Sequence, residues 1–332
     1  MTRPARISYV IMAVLLVLIG CLHLATLVLT TLFGYFALQR FSFGRSKLLG
    51  ISIYVIAVAA IGYGLFYFSH RAYKALPDIA EKTIPAVVGF AERNGIELPF
   101  TDYASARTVA LTEVKEKVAN VGRYARRAFF EIALLIAGLV VAASMFLNAK
   151  WQATGDPDAV KDSLYALVSR ELVVRCLTFY RSFSTVIGAQ IVISMINTVL
   201  TALFLIINGY PHTLVIIVLT FICGLLPIIG NILSNTLIVG VGFTISPQMA
   251  LFALLFLVVI HKLEYFLNSK IIGDRIKNPM WLTLLGLVIG ERLMGIPGMI
   301  LAPVVLHYIK VETSRNKVSN VTGEEPEARK AA

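Results

Sequence analysis

Charge is what this sequence has least of. Only 15% of its 332 residues are Asp, Glu, Lys or Arg, against about 25% in soluble domains. From Ser182 to His261, 80 consecutive residues include none of the four. One bilayer-spanning helix needs only about 20 apolar residues, so this run holds several passes in succession. Apolar-polar alternation is also missing, which argues against an outer-membrane barrel. Cysteine is scarce. Cys21, Cys176 and Cys223 lie far apart, without ligand spacing, in or beside apolar segments, and read as packing residues rather than a disulfide or a metal site. There is no Walker loop, no HExxH, no paired-cysteine motif and no nucleophile elbow. The sequence therefore suggests neither an ATP-driven pump nor an enzyme, and implies no cofactor.

What is present is apolar and basic: 58% hydrophobic residues, a mean hydropathy of +0.79 and a formal net charge of +11. In a soluble chain that charge would suggest nucleic acid. Here the basic residues sit between and after apolar segments, where cytoplasmic loops collect Lys and Arg, and no basic stripe carries aromatics for base stacking. The expected class is all-α: a polytopic integral membrane protein with about eight hydrophobic passes, some of them Gly/Pro-broken helices or helical hairpins.

Residues 1–70 read as N-terminal passes. The apolar run after Arg3 and Arg6 is too long for a cleaved signal peptide and reads as a retained segment. Residues 8–38 are long for one pass and short for two. The flanking Arg3, Arg6, Arg40, Arg45 and Lys47 favour a hairpin with both ends in the cytoplasm. Residues 48–69 form a clear pass. Residues 71–127 read as an extramembrane helical region with Pro77, Pro85 and Pro99, in which Leu111, Val114, Val118 and Val121 share one helix face. Residues 128–149 are a further pass. Residues 150–182 read as an amphipathic surface helix capped at Asp156-Pro157. Residues 183–309 form the core, and the polar tail 310–332 reads as disordered.

The core divides into 183–207, 211–226, 227–245 and 248–264, followed by a connector and 281–309. It is broken twice: around Pro227, between Gly224 and Gly230-Asn231, and around Pro297, through Gly290-Glu291-Arg292-Leu-Met-Gly295-Ile-Pro297-Gly298, with Pro303 beyond. Interrupted apolar segments are the best sequence-level pointer to a transporter's binding site. Gln190, Ser194 and Asn197 share a helix face and read either as interhelical hydrogen-bonding groups or as the lining of a pathway. Asn231 and Asn235 can serve a substrate or satisfy broken backbone. His261 and Glu264 read either as a titrating pair or as an interfacial cluster. Glu291 and Arg292 are the only acid and base in their apolar segment. They mark either a hairpin tip at the membrane surface or a proton- or cation-binding carboxylate beside an anion-binding guanidinium.

From Gly188 to His307 the order Pro227-Ile-Ile-Gly230, Gly273, Pro279, Gly290…Gly295…Gly298-Met299 and Ala302-Pro303 resembles the autoinducer-2 exporter family of bacterial membrane proteins. The chain departs from it at Ile228, where an aromatic is frequent, and at Asn231 and Ser269, where Pro is frequent. The resemblance implies a gradient-driven or facilitative transporter in the bacterial cytoplasmic membrane, with both termini cytoplasmic. It further implies a homo-oligomer, for which a pentamer is one size. Members have been associated with export of autoinducer-2 and with sodium–proton exchange. The leading expectation is transport of a small polar solute through the two broken segments. The alternatives are a cation–proton antiporter titrating at Glu291 and a non-transporting membrane scaffold.

Overall fold

The structure, a computed structural model, describes residues 2–42, 47–95, 121–148, 163–226, 229–272 and 279–315. Ten helices and no strand occur among them: α1 (Arg3–Cys21), α2 (Ala25–Phe41), α3 (Lys47–Arg93), α4 (Val121–Leu147), α5 (Leu164–Ile207), α6 (Thr213–Gly224), α7 (Ile229–Ile245), α8 (Pro247–Ile272), α9 (Met280–Met294) and α10 (Ile296–Arg315). Five of these are long and apolar enough to cross a membrane. They leave large side chains such as Ile56, Phe66, Val140 and Val259 exposed. Outward apolar faces of this kind are stable against lipid, where the backbone polar groups must be satisfied within each helix.

Residues 8–38 fall into two helices. The turn between α1 and α2 places His23 at φ 53°, and the Leu24 amide donates back to the Ile19 carbonyl at 3.0 Å. Two segments run longer than the sequence suggests. α3 continues for 47 residues through Pro77 and Pro85, so the pass at 48–69 and the polar region after it share one helix. Each proline removes one backbone hydrogen bond, but Ala72, Ala75 and Ile79 around Pro77 are buried where α3 packs on α6 and α7, and that packing holds the helix together. Likewise α5 runs unbroken for 44 residues, capped by Ser163, whose hydroxyl accepts from the Ala166 amide at 3.2 Å. The surface helix and the pass expected at 183–207 are therefore continuous. The expected cap at Asp156, the face at Leu111, Val114 and Val118, Pro99, Gly273 and the tail beyond Arg315 lie outside the described residues.

α5 is the spine. Its first half packs with α1, α2 and α10 around Phe179, Phe183, Leu301 and Val304. Its far end packs with α3, α6, α7 and α8 around Leu205, Ile216, Ile238 and Ala253. A third cluster, Leu38, Tyr54, Ala142 and Phe146, joins α2, α3 and α4. Small residues set the approach of α2 to α4: a Cβ on Gly138 would stand 2.7 Å from the Thr30 Cβ and 2.9 Å from the Leu27 carbonyl oxygen. Close backbone approach of this kind is how helices associate where no hydrophobic difference separates protein from lipid.

Candidate functional site

The first break in the core separates α6, only 12 residues long, from α7. Pro227 at its centre lies outside the described residues. A helix that stops inside an apolar bundle leaves its last four carbonyls unpaired, and here all four find donors. Ser194 Oγ donates to the Phe221 carbonyl at 3.0 Å and Gln190 Nε2 to that of Gly224 at 2.6 Å. The Leu225 and Leu226 amides donate to Ile222 and Cys223 at 3.2 and 2.8 Å. Gly230 sits against the end of α6 so closely that a Cβ would collide with the Cys223 carbonyl. Gln190 and Ser194 thus hold the break in place from α5.

One turn further along α5, Asn197 faces a different partner. Its Nδ2 donates to Glu264 Oε2 at 3.4 Å, and Asn231 Nδ2, from the first turns of α7, donates to the same oxygen at 2.8 Å. His261, one turn earlier on α8, stands with Nδ1 3.9 Å from that oxygen. The Glu264 side chain is 15% exposed and that of His261 is 53% exposed. The carboxylate therefore points inward, into the junction of α5, α7 and α8, while His261 stays at the mouth. Among the described residues no Lys or Arg bridges to Glu264. Neutral amides replace the cation that a buried carboxylate normally requires.

Around this carboxylate Asn197, Asn231, Asn235, Thr201, Thr220 and Ser234 line a cavity of about 20 Å3, room for roughly one water molecule. Thr220 and Ser234 donate to their own helix backbones, at Ile216 (2.8 Å) and Gly230 (3.1 Å), and so leave lone pairs for an occupant. Asn197 Oδ1 is buried there with no partner among the described residues. The sequence reading missed Thr201, Thr220 and Ser234. Thr201 was within reach of it, since it continues the Gln190-Ser194-Asn197 face by four residues.

The second break is a tight helical hairpin. Gly295 ends α9 at φ 65°, a conformation that favours glycine. Gly290 and Gly298 face each other with no space for a Cβ on either. Pro297 lies in the first turn of α10, where its missing amide costs nothing, and Pro303 lies within α10. Glu291 and Arg292 sit one turn before the tip, their side chains 53% and 85% exposed and 3.9 Å apart. They do not line the Glu264 cavity. Leu293 beside them reaches Gly20 of α1, so the hairpin tip lies by the α1–α2 turn. The two breaks belong to different packing units joined by α5.

A family model described as "AI-2E family transporter" matches residues 5–314. The chain is 28% identical over 148 residues to "Putative transport protein YdbI" of Bacillus subtilis, covering 44% of this chain and 42% of that protein. It is 37% identical over 114 residues to "Putative transport protein YueF" of the same organism, covering 33% and 31%. The chain spans less than half the length of each relative. With the family match running through nearly every helix described above, the chain is a multi-pass membrane protein that belongs to the AI-2E family of transporters.

Proposed function

We propose that this chain is a gradient-driven transporter of the bacterial cytoplasmic membrane and that Glu264 is its coupling group, binding a proton or a small cation in turn. The observation that carries this reading is the inward-facing carboxylate, held by the Asn231 and Asn197 amides and approached by no Lys or Arg among the described residues. An ionisable group in such a place is functional by default. When Glu264 is ionised the two amides donate to it. When a proton or a cation neutralises it, that hold weakens, and the α6–α7 break beside it is free to shift. The cavity of about 20 Å3 suits an occupant of about one water's size. A larger polar solute, including one like autoinducer-2, requires the break to open, with Gln190 releasing the end of α6. Glu291, Arg292 and Pro297 at the second break form the other moving hairpin in this proposal.

The experiment uses purified protein in liposomes loaded with a pH-sensitive dye. A sodium gradient is imposed on the wild type, Glu264→Gln and Glu291→Gln. The expected result is a pH change that Glu264→Gln loses and Glu291→Gln keeps. Loss in Glu291→Gln alone would place coupling at the second break instead. A flat wild-type trace with folded protein would remove sodium–proton exchange.

A further inference from the structure

We propose that the groove between the end of α2 and the middle of α5 binds the headgroup of an anionic phospholipid. Two independent sequence boundaries meet there. The apolar run of α2 ends at Leu38 and is followed by Gln39 and Arg40, and the 80-residue uncharged stretch of the core begins directly after Arg181. The structure ties these boundaries together: Tyr180 donates its hydroxyl to Gln39 Oε1 at 2.8 Å, and its ring packs edge-on against Tyr35 at 5.0 Å. Both helices therefore cross from apolar to polar at one level, where lipid phosphates lie.

A groove of about 260 Å3 opens at this level, lined by Phe36, Gln39, Arg40, Tyr180 and Ser184. Its chemistry suits a phosphodiester. The Arg40 guanidinium lies 5.9 Å from the Phe36 ring centre, and Arg40 and the neighbouring Arg181 are exposed. Among the described residues neither forms an ion pair with a carboxylate. The Gln39 amide nitrogen and the Ser184 hydroxyl add donors, because Gln39 accepts from Tyr180 through its other atom. An arginine fork matches phosphate oxygens in pairs, and basic pockets between membrane helices hold anionic headgroups. On the membrane side of the groove, Val192 and Met195 of α5 are exposed and offer the acyl chains an apolar wall. The site is separate from the Glu264 cavity and does not depend on what the protein transports.

The test compares phosphatidylglycerol, phosphatidylcholine with the same acyl chains, and inorganic phosphate, each added to the detergent-purified full chain. Retained lipid is read by native mass spectrometry and stability by thermal unfolding. Phosphatidylglycerol is expected to be retained and to raise Tm, and the other two to do neither. Arg40→Gln should weaken retention roughly fivefold, the effect of one basic residue at a lipid surface. Arg40→Lys should weaken it less, and Arg71→Gln, on α3, should leave it unchanged. Full retention by Arg40→Gln, an equal loss in Arg71→Gln, or equal binding of phosphatidylcholine would overturn the proposal, as would the same stabilisation by inorganic phosphate.

Discussion

If Glu264 is held by two amides of unequal geometry, the two contacts differ in strength by a predictable order. Asn231 Nδ2 lies 2.8 Å from Glu264 Oε2 and Asn197 Nδ2 lies 3.4 Å from it. A hydrogen bond to a charged group contributes about 1.5–3 kcal/mol to stability in soluble proteins. Inside membrane bundles, double-mutant cycles average only about 0.6 and reach about 1.7 kcal/mol. The short Asn231 contact belongs near the upper end of that range, at about 1.5 kcal/mol, and the longer Asn197 contact near its mean. The cycle pairs Asn231→Ala with Glu264→Ala, and separately Asn197→Ala with Glu264→Ala, with unfolding free energies measured in one detergent. The expected coupling is larger for Asn231 by a factor of about 2.5. Equal couplings, or a larger one at Asn197, would refute the arrangement in which Asn231 is the principal holder of the carboxylate. Zero coupling at both would show that Glu264 is not bonded inward at all.

Other measurements probe the scaffold. Gly138→Ala must push α2 and α4 apart by about 0.7 Å to restore ordinary contact with Thr30, at a cost of about 1–3 kcal/mol, whereas Gly62→Ala, with nothing within 4 Å, should gain about 0.5–1 kcal/mol by thermal unfolding. Gln190→Leu leaves the Gly224 carbonyl without its donor, so amide hydrogen exchange at residues 221–226 should accelerate while α1 and α2 are unaffected. Hydrogen bonds from Lys82 and then from His212 hold the Asp78 carboxyl below its ordinary range, at the contact of α3 with the start of α6. The contribution of a group so depressed is complete above the ordinary carboxyl range and is lost as pH falls through the lowered value. Wild-type protein should therefore lose stability on acidification by an increment that Asp78→Asn lacks. An identical pH profile for the two would show that the contact stabilises nothing.

The sequence by itself determined the all-α membrane class, with long apolar helices and shorter ones beside them. The pieces expected at 211–226 and 227–245 are α6 and α7, because the length of an apolar run and the position of Gly or Pro within it act locally along the chain. It also marked Gln190, Asn197, Asn231 and Glu264 as exceptions in apolar surroundings. Tertiary structure alone decided where those exceptions point. A helix that is apolar on every side has no polar face to fix its rotation, so nothing in the local pattern said that Glu264 turns toward Asn231 and Asn197, or that Glu291 and Arg292 stay outside that cavity. Packing also decided that α3 runs on through Pro77 and that α5 is one helix. Those lengths depend on Ala72, Ala75, Ile79 and Leu205 finding partners on helices distant in sequence, which no local pattern encodes.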